Sequence, residues 1–75
     1  MKLKEMRVGD RGMVAGFRAG DPAYRQKLLR MGLTRNAEFV VVRKAPFGGP
    51  IGIEVLGSQL VLRSDEADVL KVEQK

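Results

Sequence analysis

Apolar and polar positions alternate through most of this chain, and one stretch breaks that alternation with a helical period. Met13 to Phe17 reads as a first strand. It follows a turn at Val8 to Gly12, where two glycines flank Asp10, and Leu3 and Met6 anchor the N-terminus. After a loop at Arg18 to Pro22, the residues Tyr24, Leu28 and Met31 fall at i, i+4 and i+7, on one helical face. Asp21 is placed to cap that helix and Pro22 to occupy its first position, where a missing N–H costs nothing. Gly32 suits the left-handed position just past the helix, with Leu33 supplying the apolar contact that follows such a stop. Leu29 lies off the centre of the stripe and has no predicted core position.

Ala37 to Lys44 is β-branched and apolar on both faces, Phe39 and Val41 on one and Val40 and Val42 on the other. That pattern suits a strand covered on both sides or bent across a small barrel. Ala45 to Pro50 is a hairpin loop. Ile51, Ile53 and Val55 alternate in the next strand, Gly57-Ser58 turns the chain, and Gln59 to Arg63 returns. Ser64 is placed to cap a short helical turn whose Asp65, Glu66 and Asp68 suit the helix dipole. Val69, Leu70 and Val72 close the chain as a last strand. The expectation is a mainly β fold: a small five-stranded barrel of the SH3-like kind, with one inserted α-helix and a short helical turn near the C-terminus. Closure of such a barrel hides the strand edges.

At 75 residues the chain is expected to be a single domain, 1–75, with a thin core. It has no cysteine and no histidine, which excludes disulfides, thiolate and imidazole chemistry, and zinc sites built from those ligands. No catalytic residue, cofactor or metal is expected. The two serines, Ser58 and Ser64, sit at turn and cap positions. Glu38 and Glu54 lie on strands and read as a solvated face. No run approaches the roughly 20 apolar residues of a membrane span, and the N-terminus lacks the apolar core of a secretory signal. A soluble, cytoplasmic protein is expected.

Net charge is +5, concentrated in one half. Residues 1–37 hold nine Lys/Arg and three Asp/Glu, a balance of +6, while residues 38–75 hold five and six, a balance of −1. Such asymmetry favours an acidic partner. Nucleic-acid binding is the alternative that a basic first half raises, but it also calls for stacking aromatics. Only Phe47, at a hairpin tip, is free for that. Protein contact fits the pattern better. Leu28, Leu29 and Met31 are bordered by Tyr24, Arg25 and Arg30, and Tyr and Arg beside apolar residues are common interface anchors. Pro46-Phe47 at the stiff loop tip is the second candidate.

Four segments, VGDRGMVAGF, AYRQKLLRMGL, AEFVVVRKAPFGGPI and LVLRSDEADVLKVE, together resemble the FeoA family of ferrous iron transport proteins. They cover nearly the whole chain, and the helix with its Gly32-Leu33 stop before the APFGGPI hairpin is the specific part. Related domains end some metal-dependent bacterial repressors. With no winged-helix region ahead of it, this chain resembles the free-standing form. The resemblance implies a non-enzymatic cytoplasmic accessory of iron uptake. Its partner would be the membrane transporter FeoB, whose transport or GTPase cycle it would modulate, so membrane contact would be indirect. Matched to the family's helix and hairpin, Tyr24, Arg25, Lys27, Leu28, Leu29 and Met31 are the implied contact residues, with Pro46 and Phe47 second. Self-association through the helix face is a further expectation.

Overall fold

A computed structural model describes residues 1–18 and 22–75. A 3₁₀ turn at Leu3–Glu5 precedes β1 (Arg11–Phe17), α1 (Pro22–Arg30), β2 (Glu38–Lys44), β3 (Ile51–Val55), β4 (Ser58–Leu62), α2 (Ser64–Ala67) and β5 (Leu70–Gln74). All pairings are antiparallel, in the order β4-β3-β2-β1-β5. The element order matches the alternation in the sequence, while the bounds move slightly. β1 starts at Arg11, before Met13. The β3–β4 turn is Leu56-Gly57, with both residues at positive φ (52° and 79°), one position earlier than Gly57-Ser58. The expected Asp21 cap lies outside the described residues.

The expected barrel does not close. Among the described residues β4 and β5 form no pair, so the sheet is open at both edges. Two register shifts bend it, one in β1 between Val14 and Gly16 and one in β2 between Val41 and Arg43. Short non-strand segments cover the core where closing hydrogen bonds would otherwise run. The Met1 carbonyl accepts the N–H of Val72 on β5 at 3.2 Å, and Leu3 and Met6 beside it are fully buried. Lys44 pins the same segment by donating to the carbonyls of Lys4 and Met6, both at 2.8 Å. With the N-terminus lying against β5, β4 has no route to it.

One face of the sheet carries the core: Val14, Phe39, Val41, Ile53, Leu62, Leu70 and Val72, joined by Leu28 and Leu33 from the helical arm. β2 is therefore buried on one face only. Phe39 and Val41 face inward, and Val40 and Val42 on the other side are half-buried. Gly12 is fixed by this packing, because a Cβ there would stand 2.6 Å from Cζ of Phe39 and 2.9 Å from Cε of Met6. The ring needs the bare backbone of β1 as its seat.

Two substitutions test these points. Gly12→Ala should lower unfolding free energy by about 1–3 kcal/mol through overpacking, measured by urea titration. Leu56→Asn should raise it by up to about 1 kcal/mol, because Asn tolerates the left-handed backbone of the two-residue turn better than Leu does.

Candidate functional site

α1 leaves the sheet after β1 and returns to it through a helix stop that the sequence encodes in full. Gly32, at φ 92°, sends its N–H to the Leu29 carbonyl (3.1 Å), and Leu33 sends its own to the Leu28 carbonyl (3.0 Å). These two bonds define a Schellman motif, and the side chains of Leu28 and Leu33 supply its apolar contact inside the core. The motif fixes which side of α1 faces inward. Leu28 is fully buried, and Tyr24 and Met31 pack half-buried against the core.

Polar contacts complete the attachment. The Tyr24 hydroxyl donates to Oδ2 of Asp65 at 2.8 Å. Nζ of Lys27 donates to Oε2 of Glu66 at 2.5 Å. Glu66 is 3% exposed, and its other oxygen, Oε1, accepts the backbone N–H of Arg63 at 3.0 Å. Both its oxygens are thus engaged, which a buried carboxylate requires. The Lys27 bond is the main cause holding the Glu66 carboxyl below its ordinary range, against the opposing effect of burial. The Tyr24 hydroxyl does the same for Asp65. Arg25 lies over the Phe17 ring, 5.4 Å from its centroid, at cation–π distance.

The outer side of α1 is what remains. Arg25, Gln26, Leu29 and Arg30 are exposed, Leu29 at 38%. No acidic residue lies in the helix, and among the described residues neither arginine is paired with a carboxylate. The surface is an apolar knob ringed by cations and an amide.

The eight residues singled out from the sequence therefore separate. Leu28 belongs to the core and offers no surface, and Met31 and Tyr24 mostly serve packing. Lys27 is 56% exposed, but its ammonium is committed to Glu66. Arg25 and Leu29 stay together on the accessible side. Pro46 and Phe47 are exposed on the β2–β3 loop, away from α1 in the sequence, with Phe47 wholly open to solvent. Glu38 and Glu54 are exposed, as a solvated face requires. Sequence reasoning missed the Lys27–Glu66 link, whose partners stand 39 residues apart. The acidic group at 65–68 was legible only as a helix cap. Arg30, which the sequence marks only as a border residue, completes the exposed set.

Phe39 is buried, Phe17 lies beneath Arg25, and Tyr24 is bonded to Asp65, so among the described residues these three rings form no open stacking platform for bases. Among the described residues no group of three or more acidic, histidine or cysteine side chains is placed to hold a metal ion. Nor is any helix there long and apolar enough to cross a membrane.

A small open sheet bearing one cationic helix with an apolar knob has the layout of a protein-interaction domain. The chain belongs to the FeoA family: the model of the FeoA domain matches residues 1–74. The family links it to ferrous-iron transport. The FeoA protein of Chlorobium tepidum, solved by NMR, is similar at 40% identity and TM-score 0.87, over 99% of this chain and 70% of that one. A FeoA-like protein from Clostridium acetobutylicum is similar at 32% identity and TM-score 0.85, over 99% and 85%. A protein of Porphyromonas gingivalis named as a fusion of Fe(2+) transport protein A and the Fe(2+) transporter FeoB is 27% identical over 73 residues. That match takes in 97% of this chain, which spans only 8% of the length of that relative.

The clamp between the helices makes stability depend on pH in a set direction. The folded-state pKa of Glu66 lies below its ordinary 4.5, so the unfolded chain takes up the proton first. The stabilisation is complete above that ordinary value and drains away as pH falls through it towards the folded value. Glu66→Gln should cost about 1–3 kcal/mol at neutral pH and flatten the fall in thermal midpoint between neutral and acid pH. Thermal melts of both proteins across that range are the measurement.

Proposed function

We propose that this chain acts in the cytoplasm as an accessory of ferrous-iron uptake, docking on a FeoB-type transporter through the outer side of α1. The observation that carries this reading is Leu29, left 38% exposed at the centre of a cationic surface while its neighbour Leu28 is fully buried. The inner side of the helix is already used by Tyr24, Lys27, Leu28 and Met31, so the outer side is free for another polypeptide. An apolar knob ringed by Arg25 and Arg30 suits a pocket with an acidic rim, where charge speeds encounter and the buried leucine sets the lifetime.

The fused relative supports the choice of partner. Two modules joined in one polypeptide meet at high effective concentration, a device that serves modules working on each other. Docking would then bias the transporter's transport or GTPase cycle, with this chain supplying contact and no reacting group.

Leu29→Glu leaves the core untouched and places a carboxylate at the knob. It should weaken capture by the purified cytosolic domain of the cognate transporter by about tenfold or more, with circular dichroism unchanged. GTP turnover by that domain, measured with each protein, should respond to the native chain and not to the variant. Full-strength capture of Leu29→Glu would remove α1 as the docking surface.

A further inference from the structure

A second surface lies at the β2–β3 loop. The loop is held in one shape by two backbone hydrogen bonds, from Ala45 N–H to the Pro50 carbonyl (3.0 Å) and from Gly49 N–H to the Pro46 carbonyl (3.2 Å). At its tip Phe47 sits at φ 59°, in the left-handed region, with its side chain wholly exposed. Asn or Gly would hold that backbone with less strain and expose no ring. A large apolar group kept where both backbone and solvation disfavour it points to a use at that spot.

Beside Phe47 lies a mainly apolar groove of about 310 Å³, lined by Lys4, Lys44, Ala45, Phe47, Ile51 and Ser64 among others. Its cations are distinctive. Lys44 is pinned by two carbonyls, those of Lys4 and Met6, and an ammonium has three N–H donors. Two carbonyls leave one donor unused. Among the described residues no carboxylate pairs with Lys44 or with Lys4. A pre-positioned positive charge therefore stands at the edge of an apolar groove, with a second cation beside it and an aromatic wall. The chemistry that complements this is a carboxylate next to an apolar side chain.

We propose that this groove is a second docking site, which takes a peptide segment of a protein partner. The segment's Asp or Glu carboxylate meets the Lys44 ammonium, and the adjoining apolar side chain lies between Phe47 and Ile51. The groove's volume is near the lower end for ligand sites and suits one or two side chains, not a long acyl chain. The site uses no residue of α1 and does not require the transporter reading.

Matched immobilised octapeptides provide the test. Each pair carries Leu, Ile or Phe beside either Glu or Gln, and each is probed with the native chain, Phe47→Ala, Lys44→Met and Leu29→Glu. The native chain should be retained by Glu peptides and lose roughly fivefold or more on the Gln counterparts. Phe47→Ala and Lys44→Met should lose as much, and Leu29→Glu should bind as the native chain does. Phe47→Ala removes only an exposed ring, so it keeps the test valid should Lys44→Met loosen the N-terminal segment. Backbone NMR shifts induced by a retained peptide should centre on Lys4, Lys44 to Gly49 and Ser64. Retention of no peptide would overturn the proposal. So would equal retention of Glu and Gln peptides, full retention of Phe47→Ala, or shifts at these residues from octanoate but from none of the peptides.

Discussion

Burying a carboxylate costs free energy that only full hydrogen bonding offsets, and Glu66 meets that condition by drawing two distant segments together. One of its oxygens closes the first turn of α2 through the Arg63 N–H, and the other receives Lys27 from α1. Tyr24 and Asp65 repeat the link nearby. α1 follows β1 in sequence but is tied to an element near the other end of the chain. The helix is thus set on the body by polar geometry as well as by Leu28. Without the clamp, Leu28 would fix its depth but leave its direction far less determined.

That attachment divides α1 between two tasks. Its inner side holds the arm to the core, and this consumes most of the residues that would otherwise suit an interface. Its outer side carries Arg25, Leu29 and Arg30, unneutralised by any acid in the helix. The basic excess of the first half of the chain is in part this surface. The β2–β3 loop shows a related division. Ala45 and Pro50 close the hairpin, while Phe47 is held outward on a left-handed backbone. Both places depart from what stability alone would choose, and the two proposed contact surfaces lie there.

The open sheet follows from the same scarcity. With a short chain and no cysteine to staple it, the core is covered by whatever segment reaches it. The N-terminal residues fill the site by β5, and Lys44 fastens them there through two carbonyls. The gap beside β5 is therefore filled by side chains and a 3₁₀ turn, not by a ladder. This leaves β4 an edge strand, and a short one, as edge strands that avoid pairing with other chains commonly are.

Local signals were sufficient for much of this. The alternation of apolar residues gave five strands in the right order. The spacing of Tyr24, Leu28 and Met31 gave the helix and its inward side, and Gly32-Leu33 gave its stop, because each depends on neighbours within a few positions. The left-handed Leu56 was not legible because Leu rarely takes that backbone and so carries no turn signal, and the choice of open sheet over barrel was not because it depends on which distant segment lies against β5. The site divides in the same way. Leu29 could be marked as surplus to the stripe from spacing alone. That Leu28 is sealed, that Lys27 is committed to Glu66, and that Lys44 is pinned beside Phe47 were decided only when residues some 40 positions apart came within hydrogen-bonding distance. The sequence by itself determined the elements, their order and the excess of cationic surface, since these follow from short-range periodicity and composition. Tertiary structure alone decided which of those side chains were left free, because burial and pairing are properties of the folded neighbourhood and not of the chain.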